Sequence, residues 1–218
     1  MGRPVLFFCF RHYQDGMKKD PIDVIAYEPR WVEEGLSHAE AVAAALGPLA
    51  LRVDHVGSTA VPGLAAKDVI DIQALVMRLE DEGIAAAMAG AGYRFRDANT
   101  YDPPHPESPA ALGEDDWRKL YFREAKGARR VHIHIRRNGA AAARNALLLR
   151  DFLRDDAPSR RDYSEFKMAL AAKTRKDRDA YQTIKRPFIS IALRSAESWA
   201  ELSRWVPGAP DAYWRSAE

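Results

Sequence analysis

The sequence predicts an α+β fold, a mixed sheet with flanking helices assembled from the first half of the chain and closed by a helical C-terminal part. Three observations carry that expectation. Two β-branched runs, LRVDHV at 51–56 and DVIDIQALV at 68–76, lie close together, and a strand–turn–strand pattern follows at 117–137. Beyond it, three stretches with apolar residues at helical spacing run from about residue 140 to 197. With 218 residues, 47% of them apolar and 29% charged, the chain can bury a substantial core within one domain.

The elements follow in order. Pro29 suits a first helical position, and Trp31, Val32, Leu36, Ala39, Val42, Ala43 and Leu46 recur at helical spacing until Gly47-Pro48 stops the helix. LRVDHV is the first strand, STAVPGLAA a loop or short helix, and DVIDIQALV the second strand. A helix over LEDEGIAAAMAGAGY closes at Gly92, and YRFR opens another strand. Residues 97–116 are rich in Pro, Asp and Ser without periodicity, which reads as a long mobile surface loop. WRKLYFRE and RRVHIHIRR then flank AKGA as a hairpin with a glycine-containing turn. The three closing helices are AAAARNALLLRDFLRDD, SRRDYSEFKMALAAKT and DRDAYQTIKRPFISIALRSA.

Residues 1–16 read as a disordered leader, because Met17 makes a natural start. Residues 17–195 are the expected domain, and 196–218 a C-terminal tail carrying three of the five tryptophans. That tail is expected to dock on the body, with a protein partner as the alternative. The longest apolar run, VLFFCF at 5–10, falls far short of the ~20 residues of a membrane span, and it is marginal for an export signal. Cys9 is the sole cysteine, so no intramolecular disulfide forms, and a cytoplasmic location is expected. The formal charge of +2 is too small to coat nucleic acid, so an anionic partner must be bound locally.

The chemistry concentrates in HVGSTAVPGLAAKDVIDIQ. Alternation puts Ile70, Ile72, Ala74 and Val76 on one strand face, and Val69, Asp71, Gln73 and Leu75 on the other. A carboxylate on a strand inside a core must be paired, solvent-reaching or holding a cation. Gly57 and Ser58 directly follow a strand, where backbone N–H groups and a hydroxyl receive phosphate. Twelve residues lie between Ser58 and Asp71.

That spacing resembles the motif of the polymerase-beta-type nucleotidyltransferase superfamily. More narrowly, DHVGSTAVPGLAAKDVIDIQ, YFRE with VHIHI, RDFLR, and Tyr163, Lys167, Tyr181 and Lys185 resemble the GrpB family, which occurs alone or fused behind dephospho-CoA kinase. The resemblance spans roughly residues 22–193. It implies a nucleotidyltransferase-like mixed sheet, with Gly57 and Ser58 holding nucleotide phosphates and Asp71 binding Mg²⁺. The second strand carboxylate of the superfamily, expected two residues after Asp71, is Gln73, whose amide oxygen ligates metal without bringing charge.

The hairpin offers further candidates. Val131, Ile133 and Ile135 face the core, which leaves His132, His134 and Arg136 together, able to ligate a metal, donate to phosphate or act as an acid–base pair. From Arg118 to Arg137 there are eight Lys or Arg against one acid, with Arg123 and Arg136 among the candidates for gripping an anion. Lys167 and Lys185 each lie four residues after a tyrosine and so share a helix face with it; the resemblance implies that these helices complete the nucleotide pocket, where such residues hold phosphate or stack a base. His55, on the first strand, reads as a supporting residue. The expected ligand is a nucleotide or other phosphorylated small molecule, with Mg²⁺-dependent nucleotidyl transfer as the reaction. Two alternatives stand beside it, a catalytically inactive binding or chaperone-like module and a metal-dependent hydrolase or transferase using His132 and His134. Nucleic acid is not an expected partner, because the hairpin lacks interleaved aromatics.

Overall fold

The computed structural model describes residues 21–105 and 113–212. The leader expected at 1–16 lies outside them. Helix α1 (Arg30–Leu46) buries Trp31, Gly35, Ala39, Val42, Ala43 and Leu46. Val32 and Leu36, expected on that stripe, are 42% and 41% exposed, because each sits one residue, about 100°, round from its buried axis. The helix ends at Gly47, whose φ of 54° suits a residue without a Cβ.

The sheet comprises β1 (Arg52–Val56), β2 (Ile70–Val76), β3 (Arg94–Phe95), β4 (Lys119–Arg123) and β5 (Val131–Arg137). Helix α2 (Glu82–Gly90) separates β2 from β3, its first turn capped by the Asp81 carboxylate accepting from Gly83 N. Strand order is β1-β2-β5-β4-β3, with β2 parallel to β5 and the other pairs antiparallel. This is the mixed sheet of the expected α+β architecture. The C-terminal part comprises α3 (Ala141–Asp155), α4 (Ala157–Thr174) and α5 (Arg178–Ser203).

The two sheet faces divide the chemistry. Val53, Ile70, Ile72, Ala74, Val76, Phe122, Ile133 and Ile135 pack with Trp31, Ile84 and Met88 in one apolar cluster beneath α1 and α2. The register places Asp54, Asp71, Gln73, His132, His134, Arg136, Lys119 and Tyr121 on the opposite face. Helices α3, α4 and α5 cover that face around a second cluster that includes Leu64, Leu148, Phe152 and Tyr163. Phe188 stacks between Tyr163 and Phe166, at centroid distances of 4.9 and 4.4 Å, and so locks α4 to α5.

Helix α5 continues past residue 195 and ends at Ser203. Beyond it the chain docks on the sheet edge as expected, where Ala212 pairs with Val53 and Asp211 accepts from His55 N at 2.8 Å. Within 97–116, the surface loop is tied down at its described start. Asp102 N donates to Trp117 O at 2.7 Å and Lys119 N to Thr100 O at 2.8 Å. The cause lies in Asp102, whose carboxylate is drawn to Lys119 and Arg136 on the polar face.

His55 lies on the α1 side of the sheet, its ring laid against Gly35. A Cβ at residue 35 would stand 2.0 Å from His55 Nδ1, and the ring is pinned by Thr59 Oγ1 at 3.0 Å. Gly35→Ala is expected to destabilise the protein by about 2–3 kcal/mol, through overpacking. Urea unfolding monitored by circular dichroism measures it, and an unchanged midpoint would contradict this packing.

Candidate functional site

Parallel pairing of β2 and β5 sets Asp71 opposite His132 and Gln73 opposite His134. Both imidazoles turn to one carboxylate oxygen, with His132 Nδ1 at 3.2 Å and His134 Nε2 at 3.5 Å from Asp71 Oδ1. The ring of Tyr121 flanks both, at centroid distances of 5.5 and 5.3 Å. Burial pushes the Asp71 carboxyl up, but hydrogen bonds from His132 and His134 outweigh it and hold the group far below the usual carboxylate range. Burial likewise pushes the His134 imidazole down to about 4, against the opposing pull of Asp71.

Gly57 turns the chain from β1 toward this carboxylate. Its φ is +73°, and a Cβ there would come 2.7 Å from Asp71 Oδ2. Close approach and backbone conformation thus both demand glycine. Ser58 begins a single 3₁₀ turn, Ser58–Ala60, rather than a helix. A turn that short supplies little dipole, so any anion must be held mainly by side chains.

Lysines supply that charge. Lys167 of α4 is buried and donates to Ala65 O, with its Nζ 4.8 Å from the Tyr163 ring. Lys67, just before β2, lies with its Nζ 4.3 Å over the Tyr181 ring. Lys185 of α5 sits against Tyr163, whose electrostatic pull, with those of Tyr181 and Asp71, outweighs burial and holds its ammonium above the usual range. The Tyr163–Lys167 pair thus stays within α4 as its spacing predicts, whereas Lys185 reaches across to Tyr163 and Tyr181 takes Lys67 in place of Lys185. Burial, then the charges of Lys185 and Arg178, push Lys67 down to about 8. Burial and Lys185 push Lys167 down as well.

Gly57, Ser58, Asp71, His134, Arg136, Tyr163 and Lys185 line one cavity of about 180 Å³ between the sheet and α3–α5. His132 joins it through Asp71, and Lys167 through the charges it exchanges with Lys185 and Asp71. Arg123 stands apart. It pairs with Glu124 at 2.7 Å on the hairpin and is absent from the residues lining the cavity.

Gln73 is the principal correction. It is fully buried, its Oε1 accepting from Arg136 Nη1 at 2.6 Å and its Nε2 donating to Ala143 O at 3.2 Å. Both ends of the amide are engaged, and the Arg136 guanidinium on Oε1 opposes a cation there, which counts against the metal-ligand role expected of it. Arg136 donates onward to Asp102 at 2.8 Å, and Asp102 takes Lys119 at 2.5 Å. This chain of partners fills the position where a second carboxylate would stand and leaves it with one net positive charge. With one carboxylate, two imidazoles and no free amide, the donor set does not fit a pair of Mg²⁺ ions, which demand oxygen ligands in octahedral arrangement. His55 lies on the far side of the sheet, against Gly35 and Thr59, where burial pushes it down to about 4. Asp54, not His55, shares the polar face, held by Arg52 at 2.5 Å.

Sequence reasoning missed Lys67, Lys119, Tyr121 and Asp102 as parts of this face. Strand alternation carried a signal for Lys119 and Tyr121, which share parity with Arg123 on β4. Asp102 had none, lying in an aperiodic segment.

The comparisons agree with the fold. A family model described as "GrpB protein" matches residues 21–195. A UPF0157 protein of Streptomyces coelicolor is 35% identical over 78% of this chain and 80% of its own length. A dephospho-CoA kinase of Mycolicibacterium paratuberculosis is 35% identical over 86% of this chain but 49% of its own, so the chain spans about half the length of that relative. The crystal structure of the conserved protein GrpB from Enterococcus faecalis superposes with a TM-score of 0.65 at 27% identity, covering 81% of this chain and 99% of that one.

Two buried imidazoles give a pH signature. His55 and His134 titrate at about 4 when folded, against about 6.5 in an unfolded chain. Between those values the unfolded state binds more protons, so stability rises with pH. The depressed carboxyl of Asp71 adds a loss only below the unfolded carboxylate value, outside this window. The unfolding free energy from denaturant titrations is expected to fall between pH 6.5 and 4 by at least about 2 kcal/mol. A flat profile down to pH 4.5 would show that the rings are not neutral and buried.

Proposed function

The chain belongs to the GrpB family, and from that premise we propose that it binds a nucleotide or another phosphorylated small molecule in the cavity between the Gly57-Ser58 turn and Lys185. One observation carries this reading. Lys185 lines a cavity to which, among the described residues, Asp71 alone contributes a carboxylate, and the charges of Lys67 and Lys167 act on the same Lys185 and Asp71 from just behind it. Ammonium groups so placed repel one another and lose hydration, and a multiply charged anion relieves both costs. Phosphate suits lysine as a point charge. Buried tyrosine rings beneath two of the ammoniums fix their positions before any ligand arrives.

Size refines the reading. About 180 Å³ is below the usual range for a whole drug-sized ligand. The cavity therefore receives the phosphoryl end, and the remainder of the molecule lies outside it. Nucleotidyl transfer through two Mg²⁺ ions is not part of the proposal, because Gln73 occupies the second carboxylate position with both amide ends engaged. That same residue favours, as the second reading, a binding module without transferase activity.

Isothermal titration at low salt with ATP, GTP, CTP, UTP, dephospho-CoA and inorganic phosphate tests the proposal. Dephospho-CoA is included because the mycobacterial relative is named for it. At least one of these is expected to bind, and Lys185→Gln or Lys67→Gln to weaken it about tenfold or more, as loss of a charge-assisted hydrogen bond does. Arg123→Gln is expected to leave affinity unchanged. Silence with every ligand, or indifference to both lysine substitutions, would remove the proposal.

A further inference from the structure

We infer that Asp71, His132 and His134 form a site for one first-row transition-metal dication of the zinc or cobalt kind, in place of magnesium. The site opens on the cavity proposed to take phosphate, and so rests on that reading for its purpose though not for its chemistry. Geometry comes first. His132 Nδ1 and His134 Nε2 lie 3.2 and 3.5 Å from the same carboxylate oxygen, and the three donor atoms all lie within 4.8 Å of one another. Ligands held about 2.0–2.1 Å from a tetrahedral zinc stand about 3.3 Å apart, so an ion fits among these donors with small rotations.

Donor chemistry selects the metal. Imidazole suits zinc, cobalt, iron and nickel, whereas magnesium takes oxygen and dehydrates reluctantly. One carboxylate oxygen with two nitrogens is a set that magnesium rarely accepts. The far ring nitrogens, His132 Nε2 and His134 Nδ1, are buried without a hydrogen-bond partner among the described residues. No donor occupies them, so the ring protons now directed at Asp71 can pass to these far nitrogens when a metal takes the near ones.

The scaffold is rigid where it matters. Both histidines project from β5 and the aspartate from its parallel neighbour β2, two central strands of the sheet. Lys119 and Arg136 share the one carboxylate of Asp102, so only one net positive charge from this trio opposes a metal. Access also exists, since the three side chains are 29%, 26% and 14% exposed, and Asp71 and His134 line the cavity. Three protein ligands leave a coordination position toward that cavity, as in sites that bind exogenous ligands.

Titration of Co²⁺ into chelator-stripped protein, followed by its visible d–d absorption, tests the inference without any phosphorylated ligand. One equivalent is expected to bind, to be displaced by Zn²⁺, and to survive about a hundredfold excess of Mg²⁺. His132→Ala and His134→Ala are each expected to weaken Co²⁺ by more than about a hundredfold, beyond what loss of an outer hydrogen-bond partner costs. Absence of a cobalt spectrum in the wild type, displacement by equimolar Mg²⁺, or unchanged affinity in both folded variants would overturn it. The wild-type competition needs no variant, so a variant that fails to fold does not protect the inference. Lysine-dependent phosphate binding in a protein that gives no cobalt spectrum would sink this inference alone and leave the binding proposal standing.

Discussion

A sheet face that carries Asp54, Asp71, Gln73, Arg136 and Lys119 and is then covered by helices must satisfy every one of those groups inside the protein. Most of the architecture on that side answers the requirement. Asp54 is held by Arg52 and approached by Arg150 of α3 at 3.6 Å. Arg136 is shared between Gln73 and Asp102, and Lys119 completes the set. Asp102 thereby fastens an aperiodic segment onto the sheet, and Arg150 helps to seat both α3 and the tail residue Asp211. Asp71 differs from its neighbours on this face. Its partners are two titratable rings at 3.2 and 3.5 Å rather than a guanidinium, and the cavity opens at that point.

This distinction explains which parts of the molecule were legible in the sequence. Alternation along 70–76 and 131–137 settles both faces of the two central strands, because a one-residue slip would bury His132 and expose Ile133. Helix existence was equally legible from spacing. What alternation cannot supply is the partner across space. Gln73 reads as a ligand because it follows Asp71 by two, yet it is consumed by Arg136, 63 residues on, and by a helix backbone. His55 and Asp54 are adjacent in sequence and lie on opposite faces, and the face each takes depends on the pairing of β1 with β2. The exposed Val32 and Leu36 show the same limit, since helical period places them near the stripe without fixing its centre.

The lysines extend the point. The four-residue spacing of Tyr163 with Lys167 and of Tyr181 with Lys185 predicts two independent helix faces. Packing of α4 against α5 instead gives Tyr163 to both Lys167 and Lys185, and Tyr181 to Lys67. A strand lead-in, two helices and the Gly57 turn therefore meet at one place, although 128 residues, Gly57 to Lys185, separate the outermost of them. Such a meeting is a property of tertiary structure, and the tight approach of Gly57 to Asp71 is what leaves space for it.

Metal and anion in this cavity would not bind independently. A dication at Asp71, His132 and His134 adds positive charge beside Lys67, Lys167 and Lys185, whose ammoniums already feel Asp71 and one another. In an effective dielectric of about 20, charges several ångströms apart interact by kilocalories. With no anion present the lysines therefore weaken the metal, and with no metal the single Asp71 carboxylate repels a phosphate. Once both are present, phosphate oxygens stand between dication and ammoniums and attract each. Linkage then requires that each ligand raise the affinity of the other by one common factor. A carboxylate at residue 73 would weaken this coupling, because its own charge would neutralise the dication without help from the ligand. The neutral amide of Gln73, tied to Arg136 and Ala143, leaves that task to the phosphorylated molecule itself.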